Sequence, residues 1–345
     1  MLAAGPVGAQ ENSFITDAVL INPGARSIAL GGAFAAIADD ATAALANPAG
    51  LVQIVRPEIS AEFRGTASTS AFAAPFEADG GVSGLGFFSF VYPGRRWALA
   101  LYSHQLASLD FTFAGVTPYT SELTVRSYSA AAAFKISEDL SLGAGISSFN
   151  GDRSSTPYTP RVTDNDWGFN AGLLWTAADH WRVAGFYRQG PRFETDAGRL
   201  PLVSEGSSSS ASLLDIPDVF GVAVAFRPGG GGLTLGFELD RVDGTREPQP
   251  SGTAISNSGM NVHLGVEYAV LNWKPVVAFR VGLWREPGHT HTTVFGPDVQ
   301  VTTSSESATH TAFGAGFAFS KFQLDLGADI SGGAVVGSLS MVISF

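Results

Sequence analysis

The chain contains no cysteine, which excludes disulfides, thiolate metal sites and a cysteine nucleophile. Charged residues are scarce as well, at 15% of the 345 residues against roughly 25% in an average soluble protein. The net charge of −11 offers no basic surface and argues against a nucleic-acid partner. What remains is rich in apolar and small residues, with 45% hydrophobic residues and 41 glycines.

Long hydrophobic runs are also missing. The longest clean apolar run, Val219 to Phe226, covers eight residues, whereas a membrane helix needs about 20. Apolar residues that are abundant but dispersed suit β-strands with one face in lipid and the other in water. The many glycines disfavour long helices, because glycine is costly in a helix interior.

From Arg56 onward the sequence follows a period of two, which indicates half-buried strands. Between Lys321 and Asp329 every even position is apolar, and the odd positions are polar or glycine. Fourteen such segments are predicted, and an even number is typical of a bacterial barrel. They cover 56–65, 83–92, 95–104, 121–136, 139–149, 163–176, 180–188, 217–227, 232–242, 259–270, 274–285, 307–319, 321–330 and 334–345.

Long and short links alternate between these segments. All odd-numbered links except the last are long, namely 66–82, 105–120, 150–162, 189–216, 243–258 and 286–306. The even-numbered links are short turns. Long loops at one end and short turns at the other predict an all-β, transmembrane, antiparallel up-and-down barrel in a bacterial outer membrane, with the short turns in the periplasm. A soluble β-sandwich, the alternative, gives no reason for this asymmetry.

Aromatic residues gather near the predicted strand ends, where the interfacial girdles of a barrel lie. They are Tyr92, Trp97, Trp175, Trp181, Tyr187, Trp273 and Trp284. The chain ends in an alternating strand closed by Phe345, which resembles the C-terminal signal read by the bacterial outer-membrane assembly machinery. We therefore expect that machinery and outer-membrane lipid to be partners.

The first 55 residues differ from the rest in pattern. Residues 1–9 are interpreted as a leader or the remnant of a signal peptide, with Val7-Gly8-Ala9 as a plausible cleavage site. Residues 10–55 are predicted to form a hatch, or plug, inside the barrel of residues 56–345. Within the hatch, the residues before Asn47-Pro48 favour a helix that ends there, because the residue before proline is pushed out of the α region.

The segment GARSIALGGAFAAIADDATAALANPAGL, residues 24–51, resembles the N-terminal segment of the FadL/TodX family of outer-membrane long-chain fatty acid transporters. The resemblance extends over nearly the whole chain. It implies a fourteen-stranded barrel that passes hydrophobic small molecules by passive diffusion, gated by a hatch in the lumen. The candidate gate residues are Arg26, Asp39, Asp40, Asn47, Pro48 and Ala49. The Ser-rich link 189–216 departs from the apolar extracellular loops of the family prototype and leaves the substrate open.

The secretion-associated barrels of the PorV type resemble the same layout, and they predict protein partners at the extracellular loops. An aqueous porin is disfavoured, because a 55-residue segment must be placed on the periplasmic side. Nothing forms a nucleophile elbow or a Ser/His/acid set, so we expect no enzyme and no cofactor. His289, His291 and His310 are interpreted as solvated loop residues, and no metal site is predicted.

Strand parity identifies the charges that face the lumen. They are Glu238, Asp240, His263, Glu267, Asp325 and Asp329, together with Arg280. Either these groups pair with one another and with the hatch, or Arg280 takes a substrate carboxylate. Phe88 and Phe90 are candidates for an apolar substrate slot. A channel for a hydrophobic molecule also predicts an apolar pocket near residues 26–50.

Overall fold

The computed structural model describes residues 22–68, 76–80, 84–113, 119–156, 159–196, 211–229, 231–249, 252–288, 290–295, 299–304, 306–331 and 334–345. The predicted leader, residues 1–9, lies outside this part of the chain. No helix among the described residues is both long and apolar enough to cross a membrane. Antiparallel β-strands make up most of the described chain.

Fourteen of the described strands form a closed antiparallel ring. The ring strands are β1 (Glu58–Ser68), β3 (Gly84–Pro93), β4 (Trp97–Phe113), β5 (Tyr119–Lys135), β6 (Leu140–Thr156), β7 (Thr159–Ala178), β8 (Trp181–Arg188), β11 (Val219–Phe226), β12 (Leu233–Val242), β15 (Gly259–Val270), β16 (Val276–Glu286), β19 (Ala308–Ala318), β20 (Phe322–Ser331) and β21 (Ala334–Ser344). The ring closes between its first and last strands, from the pair Glu58–Ser344 to the pair Ser68–Ala334. The predicted fourteen-stranded barrel is confirmed, because each predicted segment coincides with one ring strand.

The long links contain more structure than the sequence patterns predict. β4 and β5 remain paired as far as Phe113 and Tyr119, and β6 and β7 as far as Ser155 and Thr159. Seven further strands lie in the other long links: β2 (Phe76–Gly80), β9 (Arg192–Asp196), β10 (Ala211–Asp215), β13 (Arg246–Gln249), β14 (Gly252–Ser256), β17 (Thr290–Phe295) and β18 (Val299–Ser304). β9 pairs with β10, while β13, β14, β17 and β18 form one sheet. Pairing within and between links satisfies backbone polar groups that have no ring partner.

Side-chain exposure alternates along the ring strands, and β15 is the clearest case. Its residues Met260, Val262, Leu264, Val266 and Tyr268 are 38% to 58% exposed. The intervening Asn261, His263 and Glu267 are at most 7% exposed. An outer face of exposed apolar side chains and an inner face of polar ones is the pattern of a barrel wall in hydrocarbon.

Residues 22–54, named the plug segment below, lie within the ring. The segment contains two short α-helices, α1 (Ala25–Ala29) and α2 (Ala43–Ala46), and a 3₁₀-helix, Pro48–Gln53. Asn47 is extended at φ −158° and ψ 98°, so α2 ends just before it, as the sequence predicts. Gly31 and Gly32 have positive φ values of 60° and 83°, which side-chain-bearing residues rarely adopt.

The main hydrophobic core lies between the plug segment and the inner wall. Leu30, Phe34 and Leu51 of the plug segment are fully buried. They share one apolar cluster with inward-facing residues of the ring, such as Phe87 and Phe186. The predicted domain limits, at residues 10 and 55, remain predictions.

Candidate functional site: contacts between the plug segment and the wall

A belt of inward-facing glycines brings the wall against the plug segment. A Cβ on Gly282 would lie 2.1 Å from the backbone nitrogen of Gly31, and a Cβ on Gly143 would lie 2.3 Å from the carbonyl carbon of Pro48. Neither distance leaves room for a side chain. The belt consists of Gly143, Gly172, Gly236, Gly265, Gly282, Gly314 and Gly327, each on a different ring strand. The plug segment therefore fits the lumen through direct contact with wall backbone.

Asn47 joins two parts of the plug segment to each other and also bonds to the wall. Its side chain is fully buried, and its Nδ2 donates to the carbonyl oxygens of Ala35, at 2.9 Å, and of Leu173 in β7, at 3.2 Å. Its Oδ1 accepts from the backbone N–H of Ala49 at 3.2 Å and so begins the 3₁₀-helix at Pro48. The carboxamide of Asn47 suits this position, because it both donates and accepts.

Arg26 joins the plug segment to the wall by ion pairs. Its Nε and Nη2 donate to the two carboxylate oxygens of Glu267, each at 2.8 Å. Its Nη1 donates to Asp39, whose other oxygen accepts from Arg227 at 2.7 Å. Burial alone would raise the pKa of Asp39, but the two guanidiniums hold that pKa well below its usual value. Burial raises the pKa of Asp40, which lies beside the guanidinium of Arg26.

The ion-pair chain continues along the wall through Arg280. The Nε of Arg280 donates to Glu267 at 2.6 Å, and its Nη1 donates to Asp325 at 2.6 Å. Its side chain is only 3% exposed. A substrate carboxylate would have to displace one of these partners, so the assignment of Arg280 to substrate binding remains a prediction without a contact to support it.

Glu238 holds the middle of the plug segment. Its Oε2 accepts from the backbone N–H groups of Phe34, at 3.0 Å, and Ala35, at 2.8 Å. The carboxylate is 1% exposed, and a buried carboxylate needs such donors to offset its loss of hydration. Strand β12 thus supplies one carboxylate oxygen that accepts from two backbone amides of the plug segment.

His263 bridges the plug segment and the wall with both ring nitrogens. Nδ1 lies 2.7 Å from the carbonyl oxygen of Gly31, and Nε2 lies 2.9 Å from Oδ1 of Asp240. A carbonyl oxygen and a carboxylate can only accept, so both bonds form together when the imidazole carries two protons. In that state His263 is a cation that pairs with Asp240 and holds the turn at Gly31.

Trp284 faces the lumen, and its assignment to an interfacial girdle is wrong. It is 7% exposed and stacks between the rings of His263, at 5.3 Å, and His310, at 3.7 Å between centroids. Its Nε1 donates to Asp329 at 2.7 Å, and the other oxygen of Asp329 pairs with Nδ1 of His310 at 2.7 Å. His310 is thus a buried residue of β19 instead of a solvated loop residue. Trp284 shares its strand parity with Arg280, which was the signal that could have placed it.

Phe88 and Phe90 lie on the outer face of β3, so their assignment to a slot inside the lumen is also wrong. They are 45% and 38% exposed, whereas their neighbour Phe87 is fully buried. Adjacent strand residues point to opposite faces, so only one of Phe87 and Phe88 can point inward. Phe87 packs against Tyr102, with 5.8 Å between ring centroids.

Strand β3 does not follow the whole length of β4. Within the described residues, these strands pair only from Phe87–His104 to Pro93–Ala98. Further along, β4 pairs with β2 instead, beginning at the pair of Leu109 with Gly80. On the other side of β4, the register with β5 shifts between Gln105 and Ala107. Residues 81–83, between β2 and β3, lie outside the part of the chain that the structure describes. The side chain of Leu106 is 8% exposed.

A cavity of about 280 Å³ opens at the short-turn end, between the plug segment and the wall. It is lined by Arg26, Asp39, Asp40, Glu58, Ala318, Phe319, Ser320, Lys321, Phe322, Gln323, Val342 and Ser344. Charged and polar groups dominate this lining, so the cavity differs from the apolar pocket expected near residues 26–50.

Several contacts to the plug segment were not foreseen from the sequence. Arg64 forms a buried ion pair with Glu62 at 3.0 Å and also donates to the carbonyl oxygen of Asn22. Arg188 donates to Oδ1 of Asn22 at 2.7 Å, and Asn170 donates to the carbonyl oxygen of Ala44 at 2.9 Å. Strand parity places each of these wall residues inward, but it does not identify their partners.

A closed ring with an apolar outer face, a polar inner face and alternating link lengths is the architecture of a bacterial outer-membrane barrel, as predicted. No family model and no curated protein matches the sequence.

Solved structures do match. A crystal structure of a Pseudomonas aeruginosa FadL homologue has a TM-score of 0.68 at 13% identity, covering 93% of this chain and 98% of that chain. The CymD monoaromatic hydrocarbon channel has a TM-score of 0.63 at 16% identity, covering 94% and 98%. The Ralstonia pickettii toluene transporter TbuX has a TM-score of 0.64 at 14% identity, covering 94% and 99%. The fold implied by the FadL/TodX resemblance is therefore confirmed.

Proposed function

We propose that the protein is an outer-membrane channel that passes hydrophobic small molecules by passive diffusion, with the plug segment as its gate. The observation that carries this proposal is the plug segment, which fills the lumen and is joined to the wall through Arg26 and Asn47. A filled lumen closes the direct aqueous path. An apolar molecule that passes the plug segment can leave for hydrocarbon, where its transfer free energy is favourable.

The structures with this fold support a hydrophobic substrate. They are described as a FadL homologue, a monoaromatic hydrocarbon channel and a toluene transporter. Among hydrophobic molecules, we propose a long-chain fatty acid-like molecule as the substrate, because residues 24–51 resemble the N-terminal segment of the FadL/TodX family. The polar lining of the cavity at the short-turn end supports a sideways exit for such a molecule, because charged groups there would disfavour an acyl chain.

Gating follows from the contacts of the plug segment. Arg26, Asn47, Glu238 and His263 each join the segment to the wall through hydrogen bonds or ion pairs. A molecule that enters from the long-link side must loosen some of these contacts before the lumen can widen. Ligand binding itself can shift the plug segment, because a ligand favours the conformation that it binds more tightly.

Uptake of labelled oleate tests the proposal. The gene is expressed in a Gram-negative host that lacks its own fatty acid channel, and initial uptake rates are measured. We expect the wild-type protein to raise uptake several-fold above the empty host. Asn47→Asp keeps the size of the side chain but removes both Nδ2 donors, so it should change the rate, whereas Gly185→Ala, which meets no atom closer than 3.9 Å, should not.

Uptake equal to that of the empty host would reject a fatty acid channel. The same cells assayed with labelled toluene then separate a channel for smaller hydrocarbons from a barrel that transports neither. Absence of both activities, together with proteins that co-purify with the extracellular links, would favour the PorV-like alternative.

A further inference from the structure

The short turn between β3 and β4 carries two adjacent arginines, Arg95 and Arg96, and both side chains are exposed. Nη2 of Arg96 donates to the carbonyl oxygen of Ile136, in the neighbouring turn, at 3.3 Å. Within the described part of the chain, neither arginine forms an ion pair with a carboxylate. Two uncompensated cations therefore lie at the short-turn rim of the barrel, which faces the periplasm in this architecture.

A third cation lies beside this turn. Arg56 is exposed and precedes β1, which pairs with β3 from Glu58–Val91 onward. Glu58 faces the cavity at the short-turn end, where its carboxylate accepts from the hydroxyl of Ser344. Arg56, Arg95 and Arg96 are named the basic arc below. The arc is contrary to the net charge of the chain, which is −11.

Two aromatic side chains border the basic arc on the outer face of the wall. Tyr92 and Trp97 are both exposed, with 6.0 Å between their ring centroids. A Cβ on Gly94 would lie 2.4 Å from Cε2 of Trp97, so the indole lies directly over the backbone of the turn. The turn thus fixes the indole at the level where aromatic side chains of membrane proteins meet lipid headgroups.

An apolar strip continues from the aromatic pair toward the middle of the membrane. Its members lie on the outer faces of β3 and β4 and are all exposed, namely Phe88, Phe90, Leu99 and Leu101. The register places Leu99 opposite Tyr92 and Leu101 opposite Phe90. The step from Trp97 to Leu101 covers about 13 Å, at about 3.3 Å per residue. This length is close to half of the hydrocarbon thickness, which is roughly 30 Å, so the strip matches the acyl chains of one leaflet.

Another part of the same rim is acidic. Glu138 and Asp139 are exposed in the turn after β5, and Asp179 is exposed in the turn after β7. Trp175 lies on the outer face near the end of β7, opposite Leu140, which follows Asp139. The rim thus presents one exposed tryptophan beside cations and another beside carboxylates, which allows a comparison within one protein.

We propose that the basic arc and the apolar strip form a binding site for an anionic phospholipid of the periplasmic leaflet. The phosphodiester contacts Arg95 and Arg96, because a guanidinium donates two parallel hydrogen bonds to a phosphate. The glycerol region lies at Trp97, and an acyl chain follows the strip to Leu101. An acidic protein would leave the strip unused, since the strip lies in hydrocarbon.

Net charge selects the lipid at this site. The phosphate of a zwitterionic headgroup is accompanied by an ammonium group, which cancels much of its attraction to the basic arc, whereas an anionic headgroup keeps that attraction. The inference does not depend on which molecule the channel passes, because the site lies on the outer face of the wall.

Tryptophan quenching in mixed vesicles tests the proposal. A variant that keeps Trp97 as its only tryptophan is placed in vesicles of phosphatidylethanolamine and phosphatidylglycerol, in which one lipid at a time is brominated. We expect phosphatidylglycerol to bind beside Trp97 about fivefold more tightly, which is the effect of about one nearby cation. Arg95→Gln combined with Arg96→Gln should remove this preference.

Uniformly brominated vesicles show that the double variant is inserted, because Trp97 must then be quenched as strongly as before the substitutions. A variant that keeps only Trp175 is the matched control and should show no preference for phosphatidylglycerol. Equal affinities of the two lipids beside Trp97 would overturn the proposal, and so would a preference that persists in the double variant. The same preference at Trp97 and Trp175 would also overturn it, since the whole rim would then attract anionic lipid without a specific site.

Discussion

At the scale of single residues, the charges in the lumen act as connectors between the plug segment and the wall. Arg26 contacts Asp39 within the segment and Glu267 in the wall, and Glu267 in turn contacts Arg280. Each of these groups is largely removed from water, so a missing partner leaves a buried charge that neither protein nor solvent compensates. The charged residues that the sequence places inward therefore have a structural role whatever the substrate is.

Replacement of Arg26 by alanine should loosen the plug segment. Glu267 and Asp39 would keep only one cationic partner each, and loss of one member of a buried pair costs about 3 kcal/mol. Hydrogen exchange of the amides in residues 24–54 measures this change as a lower free energy of local opening.

Arg241→Ala is the control, since Arg241 and Asp243 form an ion pair with both side chains 58% exposed. Such exposed pairs contribute little to stability, so the amide protection of the plug segment should not change. Equal protection in the wild type and the Arg26→Ala variant would show that the ion pairs do not hold the segment.

At the scale of elements, the plug segment and the ring strands are matched in shape through glycine. Neighbouring wall strands place glycines opposite one another, as in the pairs Gly236–Gly265 and Gly265–Gly282. The plug segment has small residues facing these glycines, so its backbone lies close to the backbone of the wall strands. A fit of this kind leaves little room to adjust, because protein interiors are close-packed.

Gly282→Ala should displace the plug segment. The added methyl group would lie 2.1 Å from the nitrogen of Gly31, which is backbone and has no free rotation to move away. Overpacking of this kind costs about 1–3 kcal/mol. Limited proteolysis of the purified barrel should therefore cleave within residues 22–54 faster than in the wild type.

Gly185→Ala adds the same methyl group at a ring position where the nearest atom, the carbonyl oxygen of Gly221, is 3.9 Å away. Its cleavage rate should match that of the wild type. If both variants are cleaved alike, the glycine belt does not determine the position of the plug segment.

At the scale of the whole molecule, the barrel wall separates lipid hydrocarbon on its outer face from a polar interior on its inner face. Outward residues such as Leu264 and Phe279 are exposed and apolar, whereas inward residues such as Glu267 and Arg280 are buried and charged. The two sets alternate, so a shift of register by one residue would place carboxylates in lipid. This penalty sets the register of the strands that carry inward-facing carboxylates, such as β12, β15 and β20.

Tryptophan fluorescence can test this orientation. Variants that keep a single tryptophan are placed in vesicles of brominated lipid, which quenches indoles that contact hydrocarbon. Trp181, 47% exposed on the outer face, should be strongly quenched, and Trp284, 7% exposed in the lumen, should not. Strong quenching of Trp284 would contradict its place between His263 and His310.

Much of this architecture can be predicted from the sequence. The period of two is a local property, so the fourteen strands, the alternating links and the inward parity of Asp325 and Asp329 follow from residues close together in the chain. The end of α2 at Asn47 is equally local, since proline restricts the residue before it. Trp284 obeys the same local rule, since it shares its parity with the inward-facing Arg280, and its assignment to a girdle was therefore wrong.

The sequence by itself therefore determined which face of each strand meets lipid, because that choice depends only on neighbours two residues apart. The tertiary structure alone decided the partners, since Arg26 and Glu267 are separated by 241 positions and meet only after the ring has closed. The hydrogen bond from Asn170 to the carbonyl oxygen of Ala44 and the stacking of Trp284 between His263 and His310 are of the same kind. Each depends on how distant segments share one enclosed volume, and no local pattern encodes that volume.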